Sequence, residues 1–344
     1  MTANPLIHVP LYTWRNAPYY AVRAMVEQQL TCLQSYFAQG NTYDLLVTTN
    51  DRRPFQMLCT YRRLSGHRFD LRFVTEAELL AVFKTDLRRL HDIPCARTIF
   101  SKFFPILKRE AAAIVHVDFD TLFLSKIDVS PLLAADITLI DANRFMPDNR
   151  RFDPLESQID FFRLAQPVEP SWNWLNSGVF AVQRRGFQIL TQEISHYLEN
   201  LDRAIEDGTN DHTDEIIMNA LAVREPESVA VIPDYVYNFI AYFLKHDPEW
   251  TTRAKIVHFH SVKPDKFWYV DGALTHRFGD DEVRASRVNE DVYLAALLWF
   301  RHFHAACRGM PYLFPLLSAI PAGVVEREIR ARSDRARAKS HGSA

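Results

Sequence analysis

Two aspartates, Asp118 and Asp120, lie within the segment IVHVDFDTLFL, which spans residues 114 to 124. The four residues before Asp118 are typical of a buried β-strand. Charged side chains are rarely buried without a partner, so these carboxylates need a cation or several hydrogen-bond donors. Residues i and i+2 of a strand share one face, which lets both carboxylates reach one hard divalent ion. The pattern predicts a metal site, with a carboxylate-capped turn as the alternative.

The elements around this segment alternate between strand and helix. Strands are predicted at residues 6–11, 44–49, 71–74 and 114–118, and helices at 17–37, 57–64, 76–90 and 99–108. This alternation predicts an α/β fold with a largely parallel, twisted sheet and helices on both faces. Such sheets bind ligands at the carboxyl ends of their strands, where Tyr12, Thr13 and Asn50 are expected beside the two aspartates.

The second half carries three further groups of polar residues. A predicted strand at 174–182 contains Asn176, Ser177 and Gly178, and a predicted helix at 211–223 has Asp214 and Glu215 in its first turn. Acidic residues there also complement the helix dipole, which is the structural alternative. A strand at 255–259 carries His258, with His260 just beyond it and Lys263 further on. Imidazole binds transition metals and lysine neutralises phosphate oxygens, although a histidine on an apolar strand is commonly a core residue.

Composition excludes several classes of function. The 344 residues are 48% hydrophobic, and 40 Lys and Arg nearly balance 42 Asp and Glu, so no nucleic-acid partner is indicated. The ten glycines form neither G-x-G-x-x-G nor a P-loop, so the charge of a bound diphosphate must be met by a metal and by Lys or Arg. The four scattered cysteines and the N-terminus, which lacks a basic leader and a long apolar core, predict a cytosolic protein.

Four motifs occur in a fixed order: D-x-D, then W-L-N-S-G-V-F, then D-E-I-I-M-N, then V-H-F-H-S-V-K-P. In this order, over residues 6 to 268, they resemble the motifs of glycosyltransferase family 8, the retaining group that includes glycogenin and bacterial lipooligosaccharide galactosyltransferases. The resemblance implies a GT-A fold, that is, a Rossmann-like, mixed, mostly parallel sheet flanked by helices. We expect this domain over residues 1–270 and a helical C-terminal region over 271–344.

The resemblance also implies an activity. Family members transfer a sugar from a nucleotide-sugar, usually a UDP-sugar, to a hydroxyl-bearing acceptor, with a divalent ion bridging the diphosphate. Mn²⁺ is the expected cofactor, with Mg²⁺ as the alternative. The aromatic and basic stretch at 145–174 is expected to form the acceptor-side wall, or else a packed loop.

Site residues follow from the matched motif positions. The implied metal ligands are Asp118, Asp120 and His258; the residues at the donor are Tyr12, Thr13, Lys102, Asn176, Ser177, Gly178 and Lys263; those near the transferred sugar are Asp214 and Glu215. Three positions depart from the family pattern. The spacing from His258 to Lys263 is one residue short, which leaves His260 as an alternative ligand. Glu215 replaces the usual glutamine, and Trp268 follows an insertion.

Other enzyme classes fit the sequence less well. A sugar nucleotidyltransferase normally needs an N-terminal glycine-rich phosphate loop, which this chain lacks. In a haloacid-dehalogenase-like phosphatase the threonine stands four residues after the first aspartate, whereas Thr121 is three after Asp118. A non-catalytic carbohydrate-binding protein on a transferase fold is a further alternative, against which the intact ligand set argues.

The C-terminal residues predict either a solvated helix or a membrane contact. Residues 310–325 form an uncharged run that is too short and too rich in proline for a membrane span. The tail after it is basic, and apolar surface beside a basic stripe favours peripheral attachment to an anionic inner leaflet. We expect a cytoplasmic protein whose tail forms a solvated terminal helix, with contact to the inner membrane face as the alternative.

Overall fold

The computed structural model describes residues 4–13, 17–83, 96–141, 175–200, 213–232, 235–240, 250–259, 267–270, 273–276, 298–299, 301–303 and 305–306. The predictions for His260, for Lys263, for the acceptor-side stretch up to residue 174 and for the basic tail lie outside these residues. Across the described ranges, no helix combines the length and apolar character that crossing a membrane requires.

The first half alternates strands and helices as predicted. Its elements are β1 (Leu6–Leu11), α1 (Tyr19–Ala38), β2 (Asp44–Thr49), α2 (Arg52–Ser65), β3 (Asp70–Phe73), α3 (Glu76–Phe83), α4 (Ala96–Leu107) and β4 (Ala113–Val117). Helix α2 begins at Arg52, before the predicted start at Met57, because the Asp51 side chain accepts a hydrogen bond from the Arg53 N–H and caps the first turn. Gly66, with a φ of 70°, ends it.

The remaining helices and strands follow in chain order. They are β5 (Thr121–Phe123), β6 (Ile137–Asp141), β7 (Leu175–Gln183), α5 (Gly186–Glu199), α6 (Thr213–Arg224), β8 (Val229–Ile232), β9 (Phe239–Ile240), α7 (Trp250–Arg253), β10 (Ile256–His258), β11 (Phe267–Val270) and β12 (Ala273–His276). The expected domain boundary falls at Val270, the last residue of β11, and the division into two domains stays a prediction. Trp299 and Phe303, from the expected C-terminal region, are buried in the same core cluster as residues of α1.

Seven strands form the main sheet in the order β3-β2-β1-β4-β7-β6-β8. Neighbours β3, β2, β1 and β4 are parallel, and so are β6 and β8, whereas β7 runs antiparallel to both of its neighbours. The prediction of a mixed, mostly parallel sheet is therefore confirmed. Parallel strands bring their carboxyl ends to one edge, so the residues that follow β1, β2 and β4 meet there.

Two apolar cores cover the two faces of this sheet. Val115 and Val117 of β4 point to the face covered by α1, and they belong to one buried cluster with Leu30. Ile114, on the opposite face, clusters with Phe103 of α4 and with residues of α5 and α6. Because successive side chains of a strand alternate between faces, Asp118 is expected on the α4 side. Helices on both faces were predicted, and this is confirmed.

Candidate metal and donor site

The chain leaves the main sheet at Asp118. Its backbone N–H still donates to the Gly178 carbonyl of β7, at 2.8 Å. The Thr121 hydroxyl then donates to the Asp118 carbonyl, also at 2.8 Å, which closes a turn. The next strand, β5, belongs to a separate three-stranded sheet, ordered β5-β10-β9. Asp118 and Asp120 therefore lie at the crossing from one sheet to the other.

Strand β10 brings a histidine to this crossing. It pairs antiparallel to β5 with His258 opposite Thr121, and the Phe259 N–H donates to the Asp120 carbonyl at 3.0 Å. His258 Nε2 lies 3.3 Å from Asp120 Oδ1 and 3.6 Å from Asp118 Oδ2. The three potential ligand atoms all lie within 4.8 Å of one another. The structure thus assembles the two aspartates and His258 as the sequence predicted.

The neighbours of His258 determine which ring nitrogen carries the proton. Asn176 Oδ1 accepts a hydrogen bond from the Gly178 N–H at 2.9 Å, so this atom of the amide is the oxygen. His258 Nδ1 lies 3.1 Å from the same oxygen and 3.2 Å from Asn238 Oδ1, which makes it the N–H donor. A neutral imidazole protonated at Nδ1 carries its lone pair on Nε2, the atom that faces the two carboxylates.

This orientation is suited to holding a cation. Burial lowers the pKa of His258 to about 4, against the opposing effect of Asp118, so the ring is neutral at pH 7. A nitrogen lone pair and two carboxylate oxygens repel one another unless a cation lies between them. Ligand atoms about 2.1 Å from an octahedral ion lie about 3 Å apart at right angles, close to the 3.3 and 3.6 Å between His258 Nε2 and the two carboxylates. Two carboxylates and one imidazole suit a hard or borderline divalent ion.

The charge balance of the site also favours a cation. Within the described residues, the site contains more carboxylates than ammonium groups. The carboxylates belong to Asp118, Asp120, Asp214 and Glu215, and the ammonium group belongs to Lys102. Apart from Asp118, which is partly exposed, these side chains are buried. Buried charges are costly unless they are compensated, and a divalent ion would offset the excess negative charge.

Lys102 joins three elements of the site. Its ammonium, on α4, lies 3.0 Å from Asp118 Oδ2, 2.7 Å from Asp214 Oδ2 on α6 and 2.8 Å from Ser177 Oγ on β7. The Ser177 hydroxyl donates in turn to Asp214. Burial lowers the pKa of Lys102, but the two carboxylates raise it more, and the net pKa lies above the ordinary value. Burial likewise raises the pKa of Asp118 and of Asp214, but Lys102 together with the hydrogen bonds from His116 to Asp118 and from Ser177 to Asp214 lowers the pKa of both below the ordinary value, so all three groups stay charged.

Glu215 acts on His258 through Asn176. Its Oε1 accepts a hydrogen bond from Asn176 Nδ2 at 2.8 Å. A carboxylate only accepts, so it fixes the direction of the Asn176 amide and, through it, the protonated nitrogen of His258. Gly178 leaves room for the ring, since a Cβ at this position would lie 2.3 Å from His258 Nδ1.

Most of the predicted site residues lie together, whereas Thr13 and Tyr12 lie apart from them. One connected group comprises Lys102, Asp118, Asp120, Asn176, Ser177, Gly178, Asp214, Glu215 and His258. Thr13 is bonded instead to the end of β2, where Asn50 Oδ1 accepts from its N–H at 2.9 Å and Asp51 accepts from its hydroxyl. The Tyr12 side chain is buried in the core on the α4 side, where burial raises its pKa.

Sequence reasoning missed Asn238 as a contributor to the site. Its amide nitrogen donates to Asn176 Oδ1 at 2.9 Å, and its oxygen faces His258 Nδ1. The available indication was one amide side chain in the otherwise apolar and aromatic segment YVYNFI. A polar residue in such a segment is expected to have a buried partner, but the pattern does not identify that partner.

The hydrogen bond between Asn176 and Glu215 can be tested by exchanging the amide and the carboxylate between the two positions. Asn176→Asp places two buried carboxylates in contact, and we expect it to lower the free energy of unfolding by about 3–5 kcal/mol in urea titrations. Adding Glu215→Gln restores one amide–carboxylate hydrogen bond and should recover most of this loss. The control is Asn200→Asp, a partly exposed asparagine at the end of α5. Equal stability of the single and double variants would contradict the described contact.

Comparison with known proteins gives structural neighbours only. No protein-family model and no curated protein matches the chain. Mouse xyloside xylosyltransferase 1, in its apo form, is 12% identical with a TM-score of 0.49, over 76% of this chain and 99% of that chain. Galactosyltransferase LgtC, in complex with donor and acceptor sugar analogues, is 14% identical with a TM-score of 0.44, over 83% of this chain and 95% of that chain. Likeness at this level does not assign the chain to a family.

Proposed function

We propose that the chain is a divalent-metal-dependent glycosyltransferase that takes the sugar of a UDP-sugar and transfers it to a hydroxyl-bearing acceptor with retention of configuration. The observation that carries the proposal is the orientation of His258, whose Nε2 lone pair faces Asp118 and Asp120 at the end of a central strand. These two aspartates are also those of the D-x-D motif, the first of the four ordered motifs.

The same three side chains would hold the metal ion. Mn²⁺ suits two carboxylates and one imidazole better than Mg²⁺ does, because Mg²⁺ prefers oxygen ligands throughout. When bound, the ion supplies Lewis-acid stabilisation of the charge that develops on the leaving diphosphate. Asn176 and Asn238 keep the Nε2 lone pair of His258 directed at the site, because both present an oxygen to Nδ1.

Lys102 and Lys263 are proposed as the fixed positive charges beside the donor. Lys102 helps to keep the carboxylates of Asp118 and Asp214 ionised, because its charge lowers the pKa of each. Its ammonium also balances part of the buried negative charge of the site. Lys263, which lies outside the described residues, is assigned to the diphosphate by its place in the fourth motif.

Asp214 is proposed to act on the sugar. Breaking the bond between sugar and diphosphate makes the anomeric carbon cationic, and an ionised carboxylate nearby stabilises that charge. Lys102 and Ser177 hold the Asp214 carboxylate in place. Glu215 contributes by fixing Asn176, and the segment Asn176–Gly178 is proposed to line the donor sugar.

The base of the nucleotide is assigned to the end of β1, at Tyr12 and Thr13. In the structure the Tyr12 side chain is buried, so stacking on a base requires a change in its rotamer. The acceptor is assigned to the stretch up to residue 174, which lies outside the described residues. Aromatic side chains there would supply flat faces for a sugar.

Calorimetry with UDP tests the donor half of this proposal. We expect the wild-type protein to bind UDP more tightly when Mn²⁺ is present, and GDP less tightly than UDP. Asp120→Ala removes one ligand and should abolish the Mn²⁺-dependent part of UDP binding. The control is Asp136→Asn, which alters a carboxylate paired with Arg185 away from the described site. Metal-independent or undetectable binding of both nucleotides would refute the proposal.

Turnover tests the role of Asp214. UDP release from UDP-sugars, with water in place of the acceptor, should fall about 10²- to 10³-fold in Asp214→Asn, because the variant removes a fixed negative charge beside the cationic sugar. We expect KM for the donor to change much less than kcat. If Asp214→Asn and Glu215→Gln both kept wild-type turnover, neither carboxylate would have the assigned role.

A further inference from the structure

A row of buried polar side chains crosses the main sheet and ends at the metal site. Thr48 of β2, His8 of β1 and His116 of β4 all have 0% exposure. His8 Nε2 lies 2.8 Å from Thr48 Oγ1, and His8 Nδ1 lies 3.4 Å from His116 Nδ1. His116 Nε2 lies 2.9 Å from Asp118 Oδ1. The row therefore connects three parallel strands to one of the proposed metal ligands.

The sheet itself produces this alignment. His8 and His116 are register partners across β1 and β4, so their side chains stand beside each other on one face. Asp118 follows His116 by two residues and continues the same face. The His116 ring also stacks on Phe180 of β7, with centroids 4.8 Å apart and planes inclined by 24°. Packing thus fixes the ring that contacts the Asp118 carboxylate.

One arrangement of protons satisfies the whole row. The ionised Asp118 carboxylate only accepts, so His116 donates from Nε2. A neutral His116 then has its lone pair on Nδ1 and accepts from His8 Nδ1. His8 in turn accepts at Nε2, which requires the Thr48 hydroxyl to donate. The hydrogen bonds consequently all point the same way, from Thr48 towards Asp118.

We propose that His116 and His8 are positioning residues for Asp118. His116 holds one carboxylate oxygen, Oδ1, and leaves Oδ2 directed towards His258 and Lys102. His8 acts one step further away, because its N–H keeps the His116 proton on Nε2. Neither histidine belongs to the four ordered motifs. Their role in cation binding rests on the proposed function, whereas the direction of the hydrogen bonds does not.

Loss of the hydrogen-bond partner of a metal ligand has a measurable effect on metal affinity. Groups that hold a metal ligand in place typically change metal affinity about 10- to 100-fold when they are removed. The effect arises because a carboxylate without its partner samples other rotamers and must be ordered again on binding. It therefore appears in the affinity for the ion itself, before any sugar or nucleotide is present.

The first experiment measures the Kd for Mn²⁺ by calorimetric titration, with no nucleotide or sugar present. His116→Leu should raise the Kd for Mn²⁺ about 10- to 100-fold, whereas His116→Gln should retain most of the affinity because its amide can donate to Asp118. Thr138→Val is the matched control, since it removes a buried polar group of the same sheet on β6. A folded His116→Leu variant with wild-type Kd, or equal losses in the Gln and Leu variants, would overturn the proposal.

The second experiment determines which ring nitrogen of each histidine carries the proton. Two-bond ¹H–¹⁵N NMR of histidine-labelled protein, assigned with the His8→Gln and His116→Gln variants, should show His116 protonated at Nε2 and His8 at Nδ1. His116 protonated at Nδ1, or His8 at Nε2 alone, would overturn the proposed order. If wild-type protein bound no Mn²⁺, the transferase proposal and the positioning role would both fail, and the NMR result would still decide the hydrogen-bond order.

Discussion

The mutual repulsion of an imidazole lone pair and two carboxylates is the interaction on which the site depends. His258 is held with Nδ1 as donor by two amide oxygens, so Nε2 must face Asp118 and Asp120. Protonation of the ring would relieve this repulsion, but burial disfavours it. The ammonium of Lys102 is already shared between Asp118 and Asp214. A divalent cation would remove the repulsion and offset most of the remaining negative charge. Binding of such an ion would thereby be coupled to the stability of the site.

The fold brings these groups together through strand crossings. The chain passes from β4 of the main sheet to β5 of the small sheet within the D-x-D segment, and pairing with β10 then sets His258 beside Asp120. The antiparallel strand β7 runs back past the end of β4 and supplies Asn176, which orients the histidine. Helices α4 and α6 add the Lys102–Asp214 pair from the covering layer. The turn between β4 and β5 carries the two aspartates, the end of β10 carries His258, and the helices add Lys102 and Asp214.

Local pattern was enough to predict much of this arrangement, but not the long-range contacts. β1 and β2 have the predicted bounds because each is an apolar run closed by polar residues, and the D-x-D aspartates fall where a strand can no longer bury them. The short strands β6 and β8 were not predicted, because they are stabilised mainly by pairing with distant neighbours. Asn238 and His116 were missed for the same reason. A buried polar residue has a partner, and periodicity does not say which one.

Pulsed EPR of the Mn²⁺-loaded protein directly tests whether His258 binds the ion, because it detects nitrogen bound to Mn²⁺. With ¹⁵N-labelled histidine, we expect coupling to a single imidazole nitrogen that disappears in His258→Gln and persists in His260→Gln. Coupling that survives in His258→Gln, or that is absent from the wild-type protein, would contradict the assignment of Asp118, Asp120 and His258 as one cation site.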